Sequence, residues 1–152
     1  NFIAVMPTNL YGPNDNFHPE HSHVLPALIR RFHEAKRDGS LEVALWGSGT
    51  PRREFLHCDD LADACLFLME VYNDSEIVNV GWGQDCTIRE LAELIAEIVG
   101  YQGELSWNTP TIPKGPPQKL LDTSKLTRLG WQPSLPLREG LVRTYRWYAD
   151  KY

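Results

Sequence analysis

The chain has 152 residues, of which 42% are hydrophobic and 23% are charged, with 11 Gly and 11 Pro. This composition predicts one globular segment and excludes a collagen, a coiled coil and a disordered tail. The formal net charge of −5 argues against a protein that coats nucleic acid, and apolar runs such as Phe2–Met6 are far shorter than the roughly 20 residues of a membrane helix. We therefore expect neither a nucleic-acid nor a membrane partner.

The first predicted element is a strand at Phe2–Met6. Its continuous apolar run is typical of a parallel strand that is covered on both faces. Such a strand has neighbours in an α/β sheet, yet one residue precedes it here, so we expect the chain to be a piece of a larger α/β protein. Turn residues at 7–13 and a polar stretch to His23 predict a loop at the carboxyl end of the strand, where parallel sheets bind ligands.

Two helices and three short strands are predicted next. Ser22 is the expected cap of the first helix, which ends near Gly39, and Asp59 or Asp60 is the expected cap of the second. The predicted strands are 41–46, 54–57 and 76–80. The residues expected to face the core are Leu25, Leu28, Ile29 and Phe32 in the first helix, and Leu61, Cys65, Leu68, Met69 and Tyr72 in the second.

Three further helices follow. Thr87 and Glu90 form a capping box before an amphipathic helix that closes near Gly100. A strand at 104–107, a proline-rich loop at 109–117 and an extended piece at 119–121 come next. Asp122 or Thr123 is the expected cap of a short helix that ends at Gly130, and a last helix covers 137–152. The expected inward residues of these helices are Ile88, Leu91, Leu94, Ile95, Ile98 and Val99, then Leu137, Leu141, Tyr145 and Tyr148.

Few motifs indicate chemistry by themselves. Neither glycine pair, at 47–52 or 81–86, fits the dinucleotide fingerprint, because Arg52 and Cys86 stand where the third glycine belongs. Cys58, Cys65 and Cys86 have no zinc or disulfide spacing. We therefore predict no metal site, core positions for the three cysteines, and a reducing cytoplasm as the location.

Cations, histidines and one tryptophan are candidate binding residues. Guanidinium forks match phosphate oxygens, so six cations are candidates for a diphosphate, although a solvated surface is the alternative for all of them. These cations are Arg30, Arg31, Arg52, Arg53, Lys114 and Lys119. His18, His21 and His23 crowd one loop, where a single catalytic imidazole and a structural histidine are both open. Trp46 ends a strand and is either a sugar-stacking or a core residue, and Asp122 is by default a helix cap.

Five segments carry a resemblance when they are taken together. They are MPTNLYGP (6–13), DNFHP (15–19), SHV (22–24), WGSGTPRREF (46–55) and LLD (120–122). In this order they resemble the GDP-L-fucose synthases, 3,5-epimerase/4-reductases of the extended short-chain dehydrogenase/reductase family. The resemblance implies an α/β fold in which residues 1–152 form the C-terminal substrate-binding part, with the last strands of a Rossmann-type sheet, and in which the N-terminal cofactor half is missing.

The resemblance also implies an activity and site residues. Members convert GDP-4-keto-6-deoxy-D-mannose to GDP-L-fucose with NADPH and act as homodimers. His23 would be the acid of the epimerisation and would also lie near NADP, together with Pro7, Thr8, Asn9 and Leu10. The residues that would bind the GDP-sugar are Arg31, Trp46, Arg53 and Asp122, with Arg53 at the diphosphate, Trp46 at the sugar region and Asp122 at hydroxyls of the nucleotide.

Other residues of the family's chemistry have no counterpart in these 152 residues. The family's glycine-rich fingerprint and its Tyr-x-x-x-Lys pair are absent, since Lys151 follows Tyr148 at +3. We therefore expect this polypeptide alone to lack reductase activity. Two alternatives stay open: another GDP-sugar epimerase or reductase with a different product, and a stand-alone nucleotide-sugar-binding module without chemistry.

Overall fold

The computed structural model describes residues 2–108 and 115–152, which form nine strands and five helices. The strands are β1 (Val5–Pro7), β2 (Asn9–Tyr11), β3 (Glu42–Trp46), β4 (Arg52–Arg53), β5 (Phe55–His57), β6 (Val78–Val80), β7 (Cys86–Thr87), β8 (Glu104–Asn108) and β9 (Gln118–Lys119). The helices are α1 (Val24–Arg37), α2 (Cys58–Val71), α3 (Ile88–Val99), α4 (Ser124–Leu129) and α5 (Leu137–Lys151). The α/β class is confirmed, and every predicted helix is present.

The strands pair mainly in parallel. β1 pairs with β6, β2 with β5, and β3 with β8, all in parallel. Thr8 alone separates β1 from β2, and its N–H donates to the carbonyl of Val80 at 3.0 Å, which extends the β1–β6 ladder by one bond. Parallel strands point their carboxyl ends to the same edge, so this pairing gathers the loops that follow them.

One face of the β1–β6 and β2–β5 pairs is buried by α2 and α4. The buried apolar residues of this core are Leu56, Ala64, Leu68, Val78, Val80, Leu126 and Trp131. Phe2 and Met6 are exposed, and the strand begins at Val5 rather than at Phe2. The prediction of a strand covered on both faces was therefore wrong for the described chain, because its packing elements lie on one face.

A second core lies between β3 and helices α1, α3 and α5. Val43 and Leu45 point into it while their neighbours on β3 are exposed, as the period of two in a half-buried strand requires. The four predicted residues of α1 are buried: Leu25, Leu28, Ile29 and Phe32. In α3 and α5 the predicted inward residues are buried or partly buried against the same core.

The helix caps differ in part from the predictions. The capping box of α3 is confirmed, since the side chains of Thr87 and Glu90 each accept from the other residue's backbone N–H. The cap of α1 is His23 rather than Ser22, and it makes no side-chain cap bond. The cap of α2 is His57, whose Nδ1 accepts from the N–H of Asp59. An imidazole nitrogen occupies the role that a carboxylate was expected to fill.

The predicted core positions of Met69 and of the three cysteines differ from the structure, and most of one predicted loop lies outside the described residues. Met69 of α2 is 73% exposed, so its predicted inward orientation was wrong, although Leu68 is fully buried. Cys58, Cys65 and Cys86 are free thiols that are only partly buried. Most of the loop predicted at 109–117, including Lys114, lies outside the described residues. Among the described helices, none combines the length and apolar character that crossing a bilayer would take.

Candidate functional site

A buried carboxylate, Glu54, lies at the centre of the site. Glu54 is 0% exposed and stands between β4 and β5. Its Oε1 accepts from the N–H of Gly83 at 2.7 Å, and its Oε2 accepts from the N–H of Leu121 at 3.1 Å. Burying an ionised carboxylate costs several kcal/mol unless hydrogen bonds compensate, so these two donors account for its presence. Sequence reasoning missed this residue.

The segment expected to face NADP is attached to the same residue. The hydroxyl of Thr8 donates to the backbone carbonyl of Glu54 at 3.3 Å, and Nδ2 of Asn9 donates to the same oxygen at 2.8 Å. Thr8 is buried, while Pro7 and Leu10 are half-buried. Donors of both polar side chains are therefore used within the protein, and they fix the backbone of this segment at the carboxyl end of β1.

The small sheet formed by β7, β4 and β9 places two cations side by side. In the β4–β9 register Arg52 is opposite Gln118, and Arg53 is opposite Lys119. Arg52 pairs with Asp85 at 2.7 Å, and Gln118 donates to the other oxygen of that carboxylate at 2.5 Å. The two hydrogen bonds lower the pKa of Asp85.

The opposite face of the pair is not neutralised. Successive residues of a strand point to opposite faces, so Arg53 and Lys119 share the face away from Asp85. Over the ranges that the structure covers, neither cation has a carboxylate within 4 Å. Among the described residues, the one hydrogen-bond acceptor of Arg53 is the carbonyl of Arg52, at 2.7 Å. Like charges opposite each other are destabilising, and an anion between them would remove that cost.

Asp122 lies beside this sheet and close to β6. Its Oδ1 accepts from the N–H of Ser124 at 2.9 Å, and this bond lowers the pKa of the carboxyl. Its carbonyl accepts from Nδ2 of Asn79 at 3.0 Å. Thr123 is the cap position of α4 but makes no side-chain cap bond, so Asp122 performs the local capping that its sequence context predicted. Its exposed carboxylate has a second oxygen for another donor.

A cavity of about 580 Å³ lies between α1 and the ends of β3 and β8. Arg31, Trp46 and Trp107 line it, and so does Ile88, the residue that follows β7 in the sequence. Trp46 is 79% exposed, so the alternative of a core position was wrong for this residue. The Arg31 guanidinium lies 6.0 Å from the centre of the Trp46 ring and donates to the Ala44 carbonyl, and burial lowers its pKa.

His23 stands at the entrance to α1. It is exposed, and as the cap residue it makes no side-chain hydrogen bond to the helix. Its neighbours Ser22 and Val24 line the cavity that holds Arg31 and Trp46. The other two histidines of the loop differ from it, because the rings of His18 and His21 stack at 4.8 Å and Nδ1 of His18 accepts from the N–H of Glu20. None of these three described histidines lines the cavity, although His21 and His23 each lie beside residues that do.

The predicted site residues thus fall into two groups. Arg31 and Trp46 line the cavity near the start of α1, where His23 stands. The 7–10 segment and the segment that carries Asp122 are attached to Glu54, the residue after Arg53. The resemblance implied one GDP-sugar site for Arg31, Trp46, Arg53 and Asp122, and it did not include Glu54. A signal existed for Glu54, since a carboxylate in a strand between Arg53 and a buried Phe55 needs buried donors, but the donors could not be named.

His57, Cys58 and Asp59 form a separate group whose ligand atoms lie within 4.8 Å of one another. The Nδ1 of His57 is already used as an acceptor for the Asp59 N–H at 3.2 Å. Burial lowers the pKa of His57 and raises the pKa of the Cys58 thiol, so the thiolate that a metal would require is disfavoured. The absence of a metal site stays a prediction.

The chain is an α/β protein with parallel strand pairs and a cavity near the ends of β3 and β8. Proteins of this class bind ligands at the carboxyl ends of their strands. The chain belongs to the NAD dependent epimerase/dehydratase family, whose sequence model matches residues 1–81.

Relatives narrow the comparison. The chain is 64% identical to GDP-L-fucose synthase 1 of Arabidopsis thaliana over 146 residues, which are 96% of this chain and 45% of the relative. It is 50% identical to GDP-L-fucose synthase of Escherichia coli, over 98% of this chain and 49% of the relative. A solved GDP-L-fucose synthetase of Naegleria fowleri bound to NADP has a TM-score of 0.92 at 30% identity and matches 99% of this chain and 47% of that one. The chain thus spans about half the length of these relatives.

Proposed function

We propose that this chain forms the substrate-binding part of a GDP-L-fucose synthase that converts GDP-4-keto-6-deoxy-D-mannose to GDP-L-fucose by 3,5-epimerisation and NADPH-dependent 4-reduction. The observation that carries the proposal is the aligned pair Arg53 and Lys119, which faces away from Asp85 and forms no ion pair within the described residues. The names of relatives at 50–64% identity agree with it. A relative named GDP-L-colitose synthase, which represents the alternative of another product, is 36% identical.

The GDP-sugar is assigned to the sheet of β7, β4 and β9, which carries Arg53 and Lys119, and to the cavity lined by Arg31 and Trp46. Arg53 and Lys119 hold the diphosphate through charge-assisted hydrogen bonds, and Asp122 accepts from hydroxyls of the nucleotide. Trp46 packs its exposed ring against the sugar region, and Arg31 beside it donates from its remaining N–H groups. The cavity volume of about 580 Å³ is within the usual range of small-molecule sites.

The epimerisation requires proton transfer at carbons that flank a ketone. A base on one face removes the proton, and an acid on the opposite face returns one to the enolate carbon. We assign the acid to His23, as the resemblance implies, and its imidazole is exposed and free of a capping bond.

NADP is assigned to the Pro7–Leu10 segment and to His23. The segment fits the nicotinamide end of a dinucleotide, since the Thr8 and Asn9 side chains are fixed by the Glu54 carbonyl and hold the backbone at a parallel-strand edge. Bound NADPH would supply the hydride of the 4-reduction. These residues contribute a surface that is held in place by the Glu54 carbonyl.

The assigned acid can be tested in a chimera in which these 152 residues replace the homologous segment of the E. coli relative. We expect the chimera to produce GDP-L-fucose in deuterated water with deuterium at C3 and C5. A His23→Asn variant should lose about 100-fold or more of the deuterium-incorporation rate, whereas His21→Asn, the matched imidazole control, should retain it. Formation of a different sugar by the chimera would contradict the proposed substrate.

The 152-residue chain alone provides a second test. Because it has no Tyr-x-x-x-Lys pair, we expect no NADPH oxidation when it is given the keto-sugar, while GDP-L-fucose should bind in a calorimetric titration. NADPH oxidation would show that the chemistry is complete in this chain. Binding by the chain together with an inactive chimera would instead favour a module that binds nucleotide sugars. The proposal also includes a cytoplasmic location and a homodimer for the whole enzyme. Sedimentation of the whole enzyme would test the homodimer.

A further inference from the structure

Glu54 connects the segments to which the proposed function assigns NADP and the GDP-sugar. We propose that Glu54 is the positioning residue of the site and that it sets the separation between the Thr8–Asn9 backbone and Asp122. The proposal rests on the proposed function, because Glu54 is 0% exposed and acts through residues that face the ligands. It adds a residue that the sequence analysis did not assign to the site.

The carboxylate of Glu54 holds two distant segments. Gly83 lies 29 residues away in sequence and Leu121 lies 67 residues away, and each donates a backbone N–H to a different oxygen of the carboxylate. Asp122 follows Leu121 directly. Within the residues that the structure describes, no cation forms an ion pair with Glu54. The partners of its carboxylate there are the two backbone donors, which it holds in position.

The carbonyl of Glu54 holds the third segment. Thr8 and Asn9 both donate their side-chain hydrogens to this one oxygen. A movement of Glu54 therefore shifts the segment assigned to NADP and the segment assigned to the nucleotide together. Misplacement of reacting groups by about 1 Å is enough to cost roughly 100-fold in rate, so one buried residue that holds both segments affects the reaction strongly.

Gly81 leaves the space that this arrangement needs. A Cβ atom at Gly81 would clash with Oε1 and lie 2.9 Å from Cδ of Glu54, so the carboxylate would have to shift. Gly81 is itself buried, and the carboxylate fills the place where a side chain would be. A Gly81→Ala substitution therefore displaces the carboxylate without removing it, and it serves as an independent second variant.

Asp60 provides a matched control. It is only 3% exposed, and like Glu54 it accepts backbone N–H groups from a distant segment, those of Ser134 and Leu135, both at 3.1 Å. It connects α2 with the segment before α5, and none of the proposed site residues bonds to it. A substitution of Asp60 therefore removes a buried carboxylate without loosening the Thr8–Asn9 segment or the segment that carries Asp122.

The first experiment is a calorimetric titration of the folded chain with GDP, together with thermal unfolding. In Glu54→Gln the new amide N–H faces one of the two backbone donors, so one hydrogen bond is lost. We expect Glu54→Gln and Gly81→Ala to bind GDP about tenfold or more weakly, and Asp60→Asn to keep its affinity within about twofold while it unfolds earlier. Gly81→Ala replaces Glu54→Gln in this comparison if the latter does not fold.

Two outcomes overturn the proposal. One is a folded Glu54→Gln or Gly81→Ala chain with unchanged GDP affinity. The other is an equal loss of affinity in Asp60→Asn, which would assign the effect to general stability. If the unchanged chain itself fails to bind GDP, the failure lies with the proposed function, and amide hydrogen exchange then decides the role of Glu54.

The exchange measurement needs no ligand. In Glu54→Gln we expect faster exchange at the amides of Gly83 and Leu121 and at the backbone of residues 8–9, while the helix amides of α3 and α5 keep their protection. Unchanged protection at Gly83 and Leu121 would overturn the proposal, as would a uniform loss of protection over the described residues. Either result is independent of GDP binding.

Discussion

Arg53 and Lys119 lie directly opposite each other across the parallel β4–β9 pair, and neither has a carboxylate within 4 Å over the described ranges. The neighbouring pair, Arg52 and Gln118, shares Asp85 on the other face. One face of the same two-residue strand pair is therefore neutralised and the other carries two free positive charges. This asymmetry is the main reason for the proposal that a diphosphate binds at this pair.

Removal of either cation should weaken binding of GDP. We expect Arg53→Gln and Lys119→Gln each to lower the affinity about tenfold, with a loss that shrinks as salt is raised, because both charges lie near solvent. Calorimetric titrations at low and high ionic strength measure both effects. Arg146→Gln on the exposed face of α5 is the charge-matched control. Equal affinities of all three variants would refute a diphosphate site at this pair.

Trp46 should matter for binding and not for folding. Because its side chain is 79% exposed, Trp46→Ala should change the free energy of unfolding by no more than about 0.5 kcal/mol. Binding of GDP-L-fucose should weaken, and Trp46→Phe should restore part of it through ring packing. Leu41→Ala, at another exposed apolar residue, is the control. A large loss of stability in Trp46→Ala would show that the ring packs within the fold.

His57 should make stability depend on pH below neutrality. Burial lowers its pKa from 6.5 in the folded chain, partly opposed by Asp59 and Asp60, so the unfolded chain binds the proton more readily. The stabilisation is complete above the unfolded pKa of about 6.5 and is lost as pH falls through the folded pKa. His57→Asn keeps an acceptor for the Asp59 N–H and should flatten the slope.

Urea unfolding at several pH values between 5 and 8 measures this slope. His33 is a second histidine whose pKa is lowered by burial and by nearby cations, so His33→Asn separates its contribution from that of His57. A slope unchanged by His57→Asn would mean that the burial of His57 does not determine the pH dependence.

The capping box of α3 should contribute measurable stability. Thr87 accepts from the N–H of Glu90 at 3.0 Å, and Oε2 of Glu90 accepts from the N–H of Thr87 at 2.7 Å. Thr87→Ala should cost about 1 kcal/mol of unfolding free energy, whereas Thr87→Ser should cost much less because it keeps the hydroxyl. Chemical denaturation of both variants checks this, and identical midpoints would show that the cap adds nothing to the native state.

Local patterns were sufficient for the helices. The spacing of Leu25, Leu28 and Phe32 predicted the buried face of α1, and the Thr87–Glu90 spacing predicted a cap, because both depend on neighbours within about two turns. Other predictions were wrong where the result depends on distant packing. Met69 lies on the exposed side of α2, and Met6 on an uncovered strand face, since the elements that cover a residue are remote in sequence.

The sequence by itself determined the α/β class, the helix positions and a set of candidate residues that includes Arg53 and Asp122. Only the tertiary structure decided that Arg53 faces Lys119, because β4 and β9 are two residues long and their pairing is not encoded by any local period. Glu54 shows the same limit. Its role follows from Gly83 and Leu121, which the fold brings to it from 29 and 67 residues away and which no local pattern could name.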